Sequence, residues 1–278
     1  MPQFHAVTPP RTSAVRRARR RLARLLAPEL DAELRASRRK LRSTRAELRR
    51  ARATAVSGLP ADVETTITRV RDENLTYLKP DNLRDLARVV ADLERDELPG
   101  VLVEAGTALG GSAIVIAAAK SPPRPLKVYD VFGMIPPPGE RDGQDVHERY
   151  AAIAGGRAKG VGGETYYGYR DDLREEVAAS FARLGVPTGE HDVELIAGLF
   201  EDTITLDEPV ALAHLDGDWY ESTMICLTRI APLLVPGGRI VLDDYDKWSG
   251  CRAAVDEFFS GRGGFHFERR SRLHVVRA

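Results

Sequence analysis

VLVEAGTALGGSAIVIAAAK, residues 101–120, decides the fold. VLVEAG is a short apolar run that reads as a strand, and GGSAIVIAAAK reads as a helix. Glycines between them permit a tight turn and a close backbone approach. A helix that starts at a strand's end points its free N–H groups at whatever sits there, which favours an anionic group. The same alternation recurs downstream. LKVYDVFG, HDVELIAGLF, VALAHLDGD and GRIVLDDYDKW read as strands, and REEVAASFARLGV, STMICLTRIAPLL and CRAAVDEFFS as helices. FHFERRSRLHVVRA reads as a terminal hairpin pair. Several strands are almost continuously apolar, as a parallel sheet covered on both faces requires. The expectation is a doubly wound α/β domain over residues 101–278. Ligands of such sheets sit outside the carboxyl ends of the strands, so the residues that end each strand are the site candidates.

Upstream the pattern is helical. Residues 58–100 read as a cap of two helices broken at Pro80, the second with apolar positions 83, 86, 89, 90 and 93 on one face. Residues 13–57 are rich in Arg, Ala, Leu and Glu and read as a basic helical arm, with Leu34, Leu41 and Leu48 every seven residues. Residues 1–12, with Pro2, Pro9 and Pro10, are expected to be disordered. The chain of 278 residues has zero formal charge, but residues 1–52 hold sixteen Arg and Lys against four acids. The arm is read as a dimerising helix that makes a homo-oligomer, a patch for an anionic surface, or a solvated helix. No aromatic residue interleaves its arginines, so nucleic acid is not an expected partner.

Cys226 and Cys251 are the only cysteines, and no Cys/His metal spacing exists. A reducing, cytoplasmic setting is expected. No apolar run approaches the roughly 18 residues of a membrane span, and the Arg-rich start lacks the features of an export signal. Between the second strand and its helix lies an insert, about residues 133–170, rich in Gly and Pro. A stretch of that length is read as a functional lid or a disordered segment.

The first strand ends in Glu104-x-Gly106-x-x-x-Gly110, with Ser112 opening the helix. This is not the spacing of a dinucleotide-binding turn. It suits a cofactor with an ammonium, for Glu104, and a carboxylate, for the helix start and Ser112. A mere packing turn would look the same. The second strand ends in Asp130, placed to accept hydrogen bonds from both hydroxyls of a ribose. Together these favour S-adenosylmethionine, with NAD the weaker candidate. Asp216 ends the strand VALAHLD, and Asp243 and Asp244 end GRIVLDD. In the usual order these strands are neighbours, about 5 Å apart. Three carboxylates so close repel unless a cation lies among them. Hard oxygen ligands favour Mg²⁺, with Ca²⁺ or Mn²⁺ as substitutes. The bland alternative is that these acids cap the next helices.

Taken together, VEAGTALGGS (103–112), YDVFGMIPPP (129–138), LFEDTI (199–204), LDGDWYEST (215–223) and LDDYDKWSGCRAAVDEF (242–258) resemble the macrocin O-methyltransferase family, Mg²⁺-dependent methyltransferases that act on sugars. The resemblance covers about residues 75–260. It implies a class I methyltransferase sheet of order 3-2-1-4-5-7-6. It also implies that Asp216, Asp243 and Asp244 are metal ligands and that Asp216 is the base. Glu104, Gly106, Gly110, Ser112 and Asp130 would contact S-adenosylmethionine, and Leu199 and Phe200 would border its adenine. His147 on the insert, Trp219 and Tyr220 are the acceptor-side candidates. Catechol-type relatives typically carry a lysine base three residues after the first acid. Trp219 stands there in this chain, which favours a carboxylate base and a sugar hydroxyl. The expected function is methylation of a sugar hydroxyl on a natural product, glycolipid or polysaccharide. The alternatives are an NAD(P)-dependent oxidoreductase and a non-catalytic tether that uses the basic arm.

Overall fold

Val101–Ala105 (β1) is buried at every residue, as befits a central strand with helices on both faces. It pairs in parallel with Leu126–Asp130 (β2) on one side and with Val210–Leu215 (β4) on the other. The chain therefore reverses its direction of winding at β1, and a crevice opens between the tips of β1 and β4. Val193–Ala197 (β3) pairs in parallel with β2, and Leu234–Leu242 (β5) with β4. Leu273–Arg277 (β7) runs antiparallel between β5 and Phe265–Arg269 (β6). The seven-stranded order is β3-β2-β1-β4-β5-β7-β6, the order implied by the resemblance. The computed structural model describes residues 32, 33, 36–38, 40, 41, 44 and 58–278. Met1–Val56 and Ser57–Ala278 form separate units, and the sheet lies in the second. The described residues between 32 and 44 are helical and exposed. The expected disorder of residues 1–12 and the remainder of the arm lie outside the described residues. Among the described residues no helix is long and apolar enough to cross a membrane.

Two apolar layers flank the sheet. One holds Ala61–Asp72 (α1), Pro80–Arg95 (α2), Gly111–Ala119 (α3) and, after a second short helix Gln144–Ala154 (α4), Leu173–Arg183 (α5). Pro80 is the first residue of α2, where its missing N–H costs nothing. The α2 stripe Leu83, Leu86, Val89, Val90 and Leu93 is buried, as its spacing requires; each such side chain contributes about 1.5–3 kcal/mol. The other layer holds Tyr220–Ile230 (α7) and Ser249–Phe259 (α8), the single turn Phe200–Thr203 being α6.

The insert is structured. It contains α4 and two short turns, Val161–Gly163 and Tyr167–Tyr169. Helices α7 and α8 have Trp219 and Trp248 at their N-caps, and neither caps with its side chain. The insert supplies the missing acceptors. Asp142 Oδ1 accepts the Tyr220 N–H at 2.8 Å, and Asp145 Oδ2 accepts that of Ser249 at 3.0 Å. Carboxylates at helix N-termini meet free N–H groups and a favourable dipole, so the insert is tied to the rim of the sheet at two points.

The β6–β7 turn is tied down ionically. Arg269 pairs with Asp246, Arg270 with Asp85 on α2, and Arg272 with Asp243. Burial pushes the Asp85 carboxyl up, but His274, Ser271 and Arg270 outweigh it and hold it well below the usual range. Asp85→Asn is expected to cost about 2 kcal/mol at neutral pH, because the buried side chain loses its charge-assisted bonds from Ser271 and its pairing with Arg270. A carboxyl with a lowered folded pKa stabilises above its unfolded value and loses that contribution as it protonates, so the gap narrows below about pH 4. Thermal unfolding of both proteins between about pH 3 and 7 measures it; a gap that ignores pH would exclude an ionic origin.

Candidate active site

The β1 turn sets the geometry. The Gly106 N–H bonds the Tyr129 carbonyl at 2.8 Å, and the Asp216 N–H bonds the Ala105 carbonyl at 2.9 Å. Gly106 has φ +88°, and a Cβ built there would lie 2.0 Å from the Asp216 carbonyl oxygen. Only glycine lets β1 and the end of β4 approach so closely. Asp130 braces the same turn. Its Oδ2 accepts the N–H groups of Thr107 and Ala108 at 2.7 and 3.0 Å, and its Oδ1 accepts that of Phe132 at 2.7 Å. Burial raises the Asp130 pKa, against the pull of those three N–H donors.

A cavity of about 350 Å³ opens at these strand ends, within the size range of small-molecule sites. Gly106, Asp130, Leu199 and Phe200 line it, as do Asp216, Asp218, Trp219 and Trp248. The insert contributes Arg149, Ile153, Tyr166 and Tyr167, and the α1–α2 connection contributes Tyr77. Trp219 donates its indole N–H to the Pro136 carbonyl at 2.9 Å, which leaves its ring edge-on to Trp248 at 5.9 Å.

Ligand oxygens of Asp216, Asp218 and Asp244 all lie within 4.8 Å of one another. Asp218 stands in the left-handed region, at φ +56°, a conformation Asp tolerates. Its N–H bonds Asp244 Oδ2 at 3.2 Å, and Trp248 donates to its Oδ1 at 2.6 Å. Lys247 Nζ lies 3.3 Å from Asp244 and 3.8 Å from Asp218. Burial, then the charges of Asp244, Asp243 and Asp218, hold the Asp216 carboxyl well above the usual range. Burial and Asp244 push Asp218 up to about 7. Burial works against the Lys247 charge, but Asp244, Asp218 and Asp216 outweigh it and raise its pKa to about 12.

The converging set thus differs from the expected one. Asp243 lines the cavity, yet Arg272 grips it through Nε and Nη2 at 2.6 and 3.2 Å, and Asp218 takes its place among the close acids. Glu104 and Ser112 do not line the cavity. Both are buried, and the Ser112 hydroxyl donates to Glu104 Oε1, which also lies 3.6 Å from His214 Nδ1. Burial disfavours the charged imidazole, but Glu104 outweighs it and raises the His214 pKa. Glu104 Oε2 and Thr107 Oγ1 remain buried without a protein partner. Gly110 has a packing role: at φ +86° it caps α3, and a Cβ there would meet Val177 Cγ1 at 2.8 Å. Tyr220 is buried away from the cavity, its ring 4.2 Å under the Arg141 guanidinium. His147 is exposed on the outer side of α4. Asp218 stands in the LDGDWYEST motif but without an expected ligand role, and Lys247, Arg149 and Asp142 escaped the sequence reading. Helical phase could have found Arg149, because Val146 and Ile153 mark the inner face of α4 and put Arg149, not His147, on it.

A mixed sheet of this order, with glycine and acid residues gathered at the ends of β1, β2, β4 and β5, is the class I methyltransferase fold. Within that class, the chain belongs to the macrocin O-methyltransferase family: residues 72–263 match the family described as Macrocin-O-methyltransferase (TylF). It is 30% identical to demethyldecarbamoylnovobiocin O-methyltransferase of Streptomyces niveus over 188 residues, 63% of this chain and 64% of that one. It is 33% identical to 8-demethyl-8-(2,3-dimethoxy-alpha-L-rhamnosyl)-tetracenomycin-C 4'-O-methyltransferase of Streptomyces olivaceus over 194 residues, 66% of each chain. The chain therefore spans just under two thirds of the length of these relatives. Among solved structures it is similar to the O-methyltransferase NovP, with a TM-score of 0.61 and 26% identity over 76% of this chain and 88% of that one.

Proposed function

We propose that this chain transfers a methyl group from S-adenosylmethionine to a sugar hydroxyl of a glycosylated natural product, with a divalent cation, Mg²⁺ by preference, at the acid cluster. The convergence of Asp216, Asp218 and Asp244 within 4.8 Å, the first two on the cavity wall and Asp244 buried behind them, carries this reading. The donor set fits the ion: all its ligands are hard oxygens, spanning about the 4–5 Å across one Mg²⁺ or Ca²⁺ shell. The cofactor fits the β1 turn. Gly106 and Ala108 of that turn border the cavity beside Asp130, and Leu199 and Phe200 offer apolar surface to adenine. When bound, the cation would supply acidification of an alcohol and the cofactor an electrophilic methyl group. Asp216 would accept the hydroxyl proton as the methyl transfers, since a free sugar hydroxyl is far less acidic than a carboxyl. Trp219 and Trp248 would hold the sugar ring, and the clamped insert would limit access of water. The name of the Streptomyces olivaceus relative specifies a rhamnosyl-bearing acceptor, and this supports the acceptor class.

Transfer of labelled methyl from S-adenosylmethionine to a panel of glycosides, with and without EDTA, tests the proposal. No labelled glycoside would defeat the acceptor assignment, and full activity in EDTA would defeat the cation. A pH signature accompanies it. Asp216 and Asp218 bind protons more tightly in the folded chain than unfolded, where Asp titrates near 3.9. Without the cation, stability therefore falls as pH rises from about 4 through the folded values. Mg²⁺ is expected to raise Tm by more at pH 8 than at pH 5, as read by differential scanning fluorimetry. An equal gain at both would count against the site.

A further inference from the structure

Helix α4 carries Val146, Arg149, Tyr150 and Ile153 on one face, while Gln144, Asp145, His147 and Glu148 are exposed on the other. Asp142 and Asp145 anchor this part of the chain to the N-termini of α7 and α8, so the inner face cannot turn outward without loss of both caps. Arg149 is half-buried and lines the cavity. Its guanidinium carbon lies 5.7 Å from the centre of the Tyr166 ring. Tyr166 packs against Tyr167 at 4.4 Å, and Tyr167 against Tyr77 at 6.3 Å; all three tyrosines line the same cavity. Stacking on an aromatic face orients the planar guanidinium and leaves its N–H fork free to bind.

No carboxylate or carbonyl among the described residues pairs with Arg149. The half-buried Arg84, Arg124, Arg170, Arg239 and Arg272 each sit on a carboxylate, and the cavity's other cation, Lys247, is held by Asp244 and Asp218. A partly desolvated charge without a partner is costly, and the guanidinium fork matches carboxylate or phosphate bidentately. We propose that Arg149 recognises the acceptor, and that the acceptor carries an anionic group, carboxylate or phosphate, attached to the sugar that is methylated. The inference rests on the methyl-acceptor reading of the cavity and specifies its acceptor as a uronic acid on the natural product or a nucleotide-linked sugar methylated before it is attached.

Calorimetric titration of the full chain, loaded with S-adenosylhomocysteine, tests it with three probes: methyl glucoside, methyl glucuronide and UDP-glucose. One or both anionic probes should bind about ten- to a hundredfold tighter than methyl glucoside, the range of a charge-assisted pair. Whichever does so identifies the source of the anion. In Arg149→Gln that ratio should fall to near one, with Arg149→Lys intermediate. A ratio near one in the native chain, or one that survives Arg149→Gln, overturns the inference. So does a tenfold loss of S-adenosylhomocysteine affinity in Arg149→Gln, which would assign the guanidinium to the cofactor's carboxylate. These are binding readouts. If they hold while no sugar is methylated, the methyltransfer reading fails and the anion site stands.

Discussion

Asp216→Asn is expected to lower kcat about 10³-fold, the range for loss of a general base next to an activating charge. The amide keeps the shape of the side chain and the backbone bond to Ala105, so S-adenosylhomocysteine should still bind. The same change removes a carboxyl that burial and three neighbouring acids hold well above its usual pKa. In EDTA near pH 8 the variant should therefore be more stable than the native chain, although it is less active. A purely structural role for Asp216 predicts the opposite pairing. Asp218→Asn and Asp243→Asn divide the ligand set. Loss of the Mg²⁺-dependent rise in Tm with Asp218→Asn alone would support the converging set. Its loss with Asp243→Asn would mean that Asp243 leaves Arg272 for the ion. Assays of turnover, cofactor affinity and Tm with and without Mg²⁺ settle both questions; near-native kcat in Asp216→Asn would remove the base assignment.

Gly106→Ala is expected to cost about 3–5 kcal/mol, which would leave little folded protein at 37 °C. A methyl group there would sit 2.0 Å from the Asp216 carbonyl oxygen and 2.8 Å from its carbonyl carbon. Both are backbone atoms of the residue that follows β4, so the overlap cannot be relieved by a rotamer change. Gly185→Ala isolates the conformational part. Gly185 has φ +86°, and nothing lies within 4 Å of its Cβ position, so only about 1 kcal/mol is at stake. Urea unfolding of both variants separates strain from collision. Equal losses would show that the tips of β1 and β4 can part without penalty.

The fold was largely legible because each layer has its own period. Strands at 101–105 and 210–215 are apolar at nearly every position, and helix α2 buries the positions 83, 86, 89, 90 and 93 that its spacing marks. The resemblance to the macrocin O-methyltransferase family rested on strand-end motifs, which lie where the topology puts a crevice. The insert was harder. Glycines and prolines concealed α4, and the two carboxylates that fix it act on helices about 80 and 100 residues away in sequence. Such pairings leave no periodic trace.

By itself, the order of residues determined the strand–helix alternation and the strand tips that would meet, because apolar periodicity and turn glycines are local properties. It also determined that excess acid would gather at those tips. Only the tertiary structure decided which oxygens converge. Asp243 and Asp244 are adjacent just past the end of β5, but one is taken by Arg272 from the β6–β7 turn and the other turns toward Asp216. Asp218 joins them because the chain passes through a left-handed turn after β4. Glu104 and Ser112 close on each other instead of on the cavity, and the phase of α4 presents Arg149 in place of His147. The physical reason is common to all of these. A carboxylate or a guanidinium goes where its charge is best compensated, and its partners come from segments that only folding brings within hydrogen-bond reach.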